Sequence, residues 1–325
     1  MTPKYCQYHE VSGHRCHNEA GDSGYCYWHD GSIVKDGKDI PKKLEEYAKS
    51  GGLLRGIRLA RANLQGVYLV RDGSKLGYDL TGADLYRANL QGAHLFKVKL
   101  DRSSLMKADL REANIHCASI KEANLLGIRL HDAKIDNIKI GPKLLQEKMA
   151  KTAHKEHDHA LELDCYQQAE EIYRSLRKAA DYEGIVGMTG LFTRKELTMR
   201  RMQLPLFSVR RMLSKLVDLL CGYGEEPIRV ILFSMLLIFT CALFYFYAGI
   251  VYDGQAARFD LSKGVWANML FFSECLYYSV VTFTTLGYGD FIPIGSSRMV
   301  AAIEAFTGSF TIALFVVVFV KKMTR

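Results

Sequence analysis

Two short stretches of the chain have the residue types and spacing to hold metal ions. Near the start, Cys6, Cys16 and Cys26 recur at intervals of ten, and His29 follows Cys26 by three. Zinc favours four tetrahedral sulfur or nitrogen ligands, and a Cys-x-x-His pair brings two of them to one ion from a single tight turn. Cys6, Cys16, Cys26 and His29 are therefore the predicted ligands of a structural Zn2+, which would supply folding free energy to a segment too short for its own core. His9, also three residues after a cysteine, is a rival ligand; His14 and His17, which flank Cys16, are weaker ones. The second stretch is Thr284-Thr285-Leu286-Gly287-Tyr288-Gly289-Asp290. Its backbone carbonyls at 285–288, with the Thr285 hydroxyl, can replace the hydration shell of a K+ ion. Gly287 and Gly289 allow the backbone angles that turn those carbonyls inward.

Irregular backbone of this kind sits at membrane depth only where it lines a water path or is buried in protein. The surrounding sequence predicts such a frame. Apolar segments at 228–251 and 297–320 read as two transmembrane helices, the first about 36 Å long at about 1.5 Å per residue. The shorter apolar run 271–283 predicts a re-entrant pore helix, so that 270–290 forms pore helix and filter. Thr285, Leu286, Gly287, Tyr288, Gly289 and Asp290 are the expected selectivity filter, with Glu274, Thr284 and Glu304 as its supports. Glu304, an acid inside a span, is expected to hydrogen-bond behind the filter. Gly308, inside the second span, reads as a packing glycine between helices. One filter strand cannot enclose an ion, so a homotetramer is expected.

The chain has 325 residues, with 43 Lys+Arg against 35 Asp+Glu and a net charge of +8. Its mean hydropathy of −0.04 averages a polar body and an apolar tail. Residues 1–29 lack the basic and apolar regions of a secretory signal, and only three of the 8 Cys cluster, which argues against a disulfide scaffold. Residues 205–222 predict an amphipathic helix with Arg210, Arg211 and Lys215 on one side, lying at the interface against anionic lipid. Basic residues before the first span and after the second place both termini in the cytoplasm of a multi-pass protein of the cell (inner or plasma) membrane. The loop 252–268, where Asp253, Arg258, Asp260 and Lys263 cancel, faces outward. No segment has arginine at every third position, so no voltage sensor is expected. Only five residues follow 320, so soluble control is expected from the N-terminal side.

Between 51 and 141 the sequence repeats every five residues. Leu59, Leu64 and Leu69 share a phase, an interruption at 70–77 shifts the register by one, and the phase resumes from Leu80 to Ile140. Neither a helix nor a strand has this period, so a solenoid is required. A helical hairpin connector is predicted over 142–203, with its first helix running to Tyr182 and the second from 193 to 202. His154, His157 and His159 lie among charges there and read as a solvated face more readily than as a metal site.

The run Ala-Asp-Leu at 83 and 108 and Ala-Asn-Leu at 88 and 123 resembles the pentapeptide-repeat family. That resemblance implies a right-handed quadrilateral β-helix of four repeats per coil, so sixteen repeats make about four coils. The cysteine-rich start, residues 1–32, looks like the module often found ahead of such domains. Residues 225–322 resemble two-transmembrane potassium channels through Thr-x-Gly-Tyr-Gly-Asp. Leu286 stands where that family usually has Val, Tyr277-Tyr278 match its pore-helix aromatic pair, and Gly308 matches its hinge glycine. The expected fold is a multidomain membrane protein: a β-helix, an α-helical connector and an all-α pore with a re-entrant helix. The expected function is a tetrameric potassium-selective channel whose pentapeptide domain regulates gating or assembly. The alternative is a membrane-anchored interaction scaffold with a weakly conducting or non-selective cation pore. No catalytic constellation emerges, and the mixed to basic repeat surface argues against the DNA mimicry and topoisomerase binding known for this fold, so no nucleic-acid partner is expected.

Overall fold

A five-residue period buries every fifth side chain only if the backbone turns a corner after each repeat. The computed structural model, which describes residues 4–9, 13, 15–252 and 254–324, shows that arrangement. His14, Asp253 and Arg325 lie outside the described residues. The chain divides into two compact units, Met1–Arg211 and Met212–Arg325.

In the first unit, parallel bridges join residues one coil apart: Asp84 to Ser104 to Asn124 on one face, Asn89 to Asp109 to Arg129 on the next, then His94 to Asn114 to Lys134, and Asp79 to Lys99 to Ser119 to Lys139. Each step is twenty residues, which is four repeats per coil. Across the interruption the step lengthens, with Arg58 paired to Asp84, so 70–77 bulges out of an otherwise unbroken stack. Leu59, Leu85, Leu105 and Leu125 are buried in one column, and the small partners Ala62, Ala83, Ala88 and Ala108 are buried beside them. At the corners the residue two after each core Leu or Ile adopts left-handed backbone, from Gly56 to Asn137, except after Leu69, where the interruption begins. Many of these, including Arg87, Lys107 and Glu122, carry a side chain.

The exposed edge of a solenoid's first coil offers unpaired N–H groups. Here the preceding segment fills them: Arg58 N donates to Trp28 O (2.8 Å), Asn63 N to Lys35 O (2.9 Å) and Tyr68 N to the Glu45 carboxylate (2.8 Å). Glu45 lies on α1 (Ile40–Lys49), a helix absent from the sequence prediction, whose Ile40, Leu44 and Ala48 are buried in the core that continues into the solenoid. The connector is three helices, not the hairpin expected: α2 (Leu145–Lys155), α3 (His159–Tyr182) and α4 (Val186–Met202). The predicted first helix breaks at His157, which has a left-handed φ of 60°. Asp158 then caps α3, its carboxylate accepting from Leu161 N (2.9 Å). α3 pairs with α4 through the buried Glu170 and Glu196, which bind Arg174, Arg177, Arg200 and Gln203. Burial raises the Glu170 pKa, but Gln203, Arg200 and Arg174 outweigh it and hold the carboxyl below its usual range.

The chain passes to the second unit through α5 (Val209–Cys221), then α6 (Pro227–Ala248), β1 (Ile250–Tyr252), β2 (Gln255–Ala257), α7 (Gly264–Phe283), β3 (Phe291–Pro293) and α8 (Ser297–Met323). α6 ends earlier than predicted because Gly249, at φ 92°, turns the chain into β1, while α8 runs three residues further than predicted. α7 starts at Gly264, six residues before the predicted pore helix, which makes it about 30 Å long at about 1.5 Å per residue. The apolar pattern missed its first turns because they hold Trp266 and Asn268. Only α6 and α8 are long and apolar enough, among the described residues, to cross a membrane. α6 packs on both α7 and α8, and the strands form an antiparallel sheet of order β2-β1-β3.

Candidate functional site

Residues 284–290 span the gap between the end of α7 and β3. Both ends are anchored. At the helix end, Thr284 N, Thr285 N and Leu286 N bond back to Val280 O (2.9 Å), Thr282 O (3.0 Å) and Val281 O (3.1 Å), and the Thr284 hydroxyl donates to Val280 O (2.7 Å). At the other end, β3 is fixed on β1 with Ile292 opposite Val251, and the buried Ser297 hydroxyl donates to Gly249 O (2.9 Å). Between these anchors the backbone alternates. Thr285 (φ 58°), Gly287 (φ 59°) and Gly289 (φ 82°) are left-handed, and Leu286 and Tyr288 between them are not. The two glycines were expected from the sequence; Thr285 in this conformation was not. Leu286 and Tyr288 are 59% and 67% exposed on the single chain.

A buried polar cluster joins α6, α7 and α8. Glu304 on α8, 1% exposed, accepts from the Tyr245 hydroxyl of α6 (2.6 Å) and contacts the Ser279 hydroxyl of α7, which also reaches Ile238 O (2.8 Å). One carboxyl thereby ties three helices together. Tyr278 is buried with its ring edge-on to Tyr245, centroids 4.8 Å apart, and Tyr277 stands 5.7 Å from the ring of Phe291 in β3. The Asp290 carboxylate accepts from Phe291 N (3.2 Å). Glu274 stands apart: it is half-buried on α7 with no hydrogen-bond partner among the described residues. Ser279 and Tyr245 were missed as partners of Glu304; only the three-helix packing brings them together.

Gly308 sits where α8 passes the end of α7. A Cβ there would lie 2.1 Å from Phe283 O and 2.8 Å from its carbonyl carbon. Close packing accounts for this glycine, and α8 runs through it unbroken. Further along, at the opposite end of α8 from β3, Lys321 pairs with Glu225 (2.8 Å), in the elbow between α5 and α6, and Val318 packs with Cys221 and Val230.

In the first unit, Cys6, Cys16, Cys26 and His29 converge. All four are buried, and their ligand atoms lie within 4.8 Å of one another. Cys16 and Cys26 sulfurs are 3.7 Å apart, well beyond a disulfide bond and close to the edge, about 3.8 Å, of a tetrahedron with bonds of about 2.3 Å. His29 presents Nδ1 to Cys26 Sγ (3.2 Å) and Cys6 Sγ (3.8 Å), while Nε2 meets Arg55 O (3.0 Å). A carbonyl only accepts, so Nε2 carries the hydrogen and Nδ1 is left free to ligate. Burial pushes the Cys16 thiol up to about 12. Burial also penalises the Cys26 thiolate, but contacts with His29, its backbone N–H among them, and with Asn18 draw its pKa down to about 6. The cluster therefore fits a divalent metal with soft ligands. His9 is exposed, bonded to Gln7 O (3.0 Å), and outside the cluster, as is His17. His154 and His159 both approach Glu162 (3.1 and 3.5 Å) and assemble no metal group among the described residues.

Comparison with known proteins matches the second unit and the repeats. Residues 231–325 match the family model described as ion channel, and residues 77–102 and 88–127 match pentapeptide repeats. No curated protein matches the chain. Among solved structures, a pentapeptide repeat protein from the Arabidopsis thaliana thylakoid lumen is 19% identical, over 30% of this chain and 77% of its own, with a TM-score of 0.15. One from Nostoc PCC 7120 is 23% identical over 35% and 93%, with a TM-score of 0.18.

Proposed function

We infer that this chain, an ion-channel segment joined to a pentapeptide-repeat segment, forms a potassium-selective pore as a homotetramer. The observation that carries the reading is the alternating backbone of 285–289. In an extended strand successive carbonyls point to opposite sides, whereas alternation of left-handed and ordinary φ directs them to the same side. Four such strands around an axis would ring a dehydrated ion with carbonyl oxygens of Thr285, Leu286, Gly287 and Tyr288. Channel segments of this kind work as oligomers, and the exposure of Leu286 and Tyr288 on the single chain is what neighbouring copies would cover. Glu304, Tyr245, Ser279, Tyr277 and Tyr278 brace the strand from behind, Thr284 and Asp290 hold its ends, and Gly308 lets α8 approach it.

α6 and α8 cross the membrane, and α7 with the filter enters from outside, with both termini cytoplasmic. The exposed apolar side of α5, including Met212, Leu213 and Leu216, lies in the interface while Arg210, Arg211 and Lys215 meet anionic headgroups. The Lys321–Glu225 contact and the Val318 packing link the inner end of α8 to that interfacial helix. The metal cluster holds Zn2+ through Cys6, Cys16, Cys26 and His29, with a structural task, since four protein ligands leave no open position.

Purified protein in liposomes, with potassium and sodium flux compared, tests the pore. Potassium flux exceeding sodium flux is expected, with loss of flux or selectivity in Gly287→Ala, because a Cβ strains the left-handed position. Equal flux of both ions, or an unaffected Gly287→Ala variant, would favour a scaffold with a non-selective pore.

A further inference from the structure

The one departure from the repeat, residues 70–77, builds the wall of a cleft. The loop bulges from the first coil and faces the end of α1 and the segment that carries Cys16. Between them is a cavity of about 890 Å³, within the range of small-molecule sites, roughly 300–1,000 Å³. Among the described residues four cations line it: Arg15 from the cysteine segment, Lys49 from the last turn of α1, Arg55 from the first coil and Arg71 from the loop. They come from four separate pieces of chain, so their convergence is a product of the tertiary structure. Arg15, Lys49 and Arg71 are exposed and in no ion pair among the described residues.

Among the described residues, the only carboxylate in the lining is Asp79. It is engaged elsewhere: one oxygen accepts from Thr81 N (3.0 Å) and the Thr81 hydroxyl (2.5 Å), and the other faces Arg55 (3.8 Å) and Lys99 (4.0 Å). The C-terminal end of a helix ordinarily repels an anion. At α1 that end is covered, because Glu46 O, Tyr47 O and Ala48 O accept from Ser50 N, Gly52 N and Gly51 N. Tyr78 is also in the lining, half-buried and packed against the solenoid core.

We propose that this cleft binds a soluble phosphorylated anion of nucleotide size. Arg71, Lys49 and Arg15 would meet the phosphates from three separate segments of the lining. The site also touches the metal cluster. Arg55, whose side chain lines the cleft, holds His29 through its carbonyl, and Asn18 and Tyr47, also in the lining, bond to each other at 2.9 Å. A ligand here would thus bear on the cap of the solenoid's first coil. Regulation of conductance by such a ligand rests on the channel reading; binding itself does not.

Calorimetric titration of the purified full chain with ATP, inorganic pyrophosphate and adenosine tests the site. ATP and pyrophosphate are expected to bind, more weakly as salt rises, and adenosine is not. Loss of a charge-assisted hydrogen bond costs about tenfold or more in affinity, so Lys49→Ala with Arg71→Ala should weaken ATP binding about a hundredfold. Both residues are exposed, and an unchanged melting temperature would show that the variant still folds. Arg15→Ala, tested alone, is expected to weaken ATP binding about tenfold. Binding of adenosine as tight as that of ATP, no binding of either phosphate compound, or wild-type affinity in the double variant would overturn the proposal. Potassium flux is measured separately, so a silent pore counts against the channel and leaves the binding result intact.

Discussion

At the scale of single residues, glycine is placed for two different reasons. Gly287 and Gly289 are required by backbone angle, since a Cβ at either would meet open space on the single chain. Gly308 is required by distance, with Phe283 O at 2.1 Å from where its Cβ would be. Gly308→Ala should therefore force α8 away from the end of α7 and destabilise the second unit by about 1–3 kcal/mol, in the range of core overpacking. A thermal melt of the purified protein would show it, and a variant that melts like the parent would mean that the helices slide apart freely. A motif shows the first kind of glycine because conformation is local. The second kind is ambiguous in sequence, because hinge and contact predict the same residue. Thr285 was legible as an oxygen donor, but its left-handed φ was not, since nothing in its type demands it.

Whole elements reveal what periodicity could and could not predict. The five-residue phase marked the coils from Leu59 to Ile135 correctly, because each buried Leu or Ile answers to a local corner. α1 escaped because its apolar stripe, Ile40, Leu44 and Ala48, is short and its value lies in covering the first coil. The same holds for the three-residue strands β1 to β3, which are defined by partners distant in sequence. The elbow before α6 is of this class too. Lys321 and Glu225 are 96 positions apart and meet only when α8 returns beside α6. If this pair passes motion of α5 to α8, Glu225→Lys and Lys321→Glu should each change potassium flux by up to about fivefold, given about 1 kcal/mol for a partly exposed pair. Restoration in the combined charge-swapped variant would identify the pair itself as the cause, and singles without effect would make the contact incidental.

For the molecule as a whole, the metal cluster and the solenoid form one continuous core, so the metal's contribution should spread beyond its ligands. The carbonyl of Trp28 that accepts from Arg58 N lies next to His29. Removal of metal with a chelator, or Cys26→Ser, should release hydrogen-exchange protection at Arg58, Asn63 and Tyr68, while Lys134 and Lys139 in the last coil stay protected. Zinc content near one ion per chain, measured by mass spectrometry on the untreated protein, is the companion result. Protein that contains no metal and keeps a protected first coil would exclude the structural role.

What the sequence set out by itself was whatever depends on neighbours along the chain: a solenoid from its period, two helices of membrane-crossing length from their apolar runs, a candidate filter from seven consecutive residues, and a candidate ligand set from cysteines at equal intervals. Their chemistry is written in residue type and local backbone geometry. Only the tertiary structure decided which distant groups share a space. It placed Tyr245 and Ser279 on Glu304, turned His29 Nδ1 toward the sulfurs by giving Nε2 to Arg55, stopped the first coil's edge with Trp28, Lys35 and Glu45, and drew four cations around one cleft. Those relations depend on where the chain returns in space, which residue order constrains only through the packing of the folded molecule.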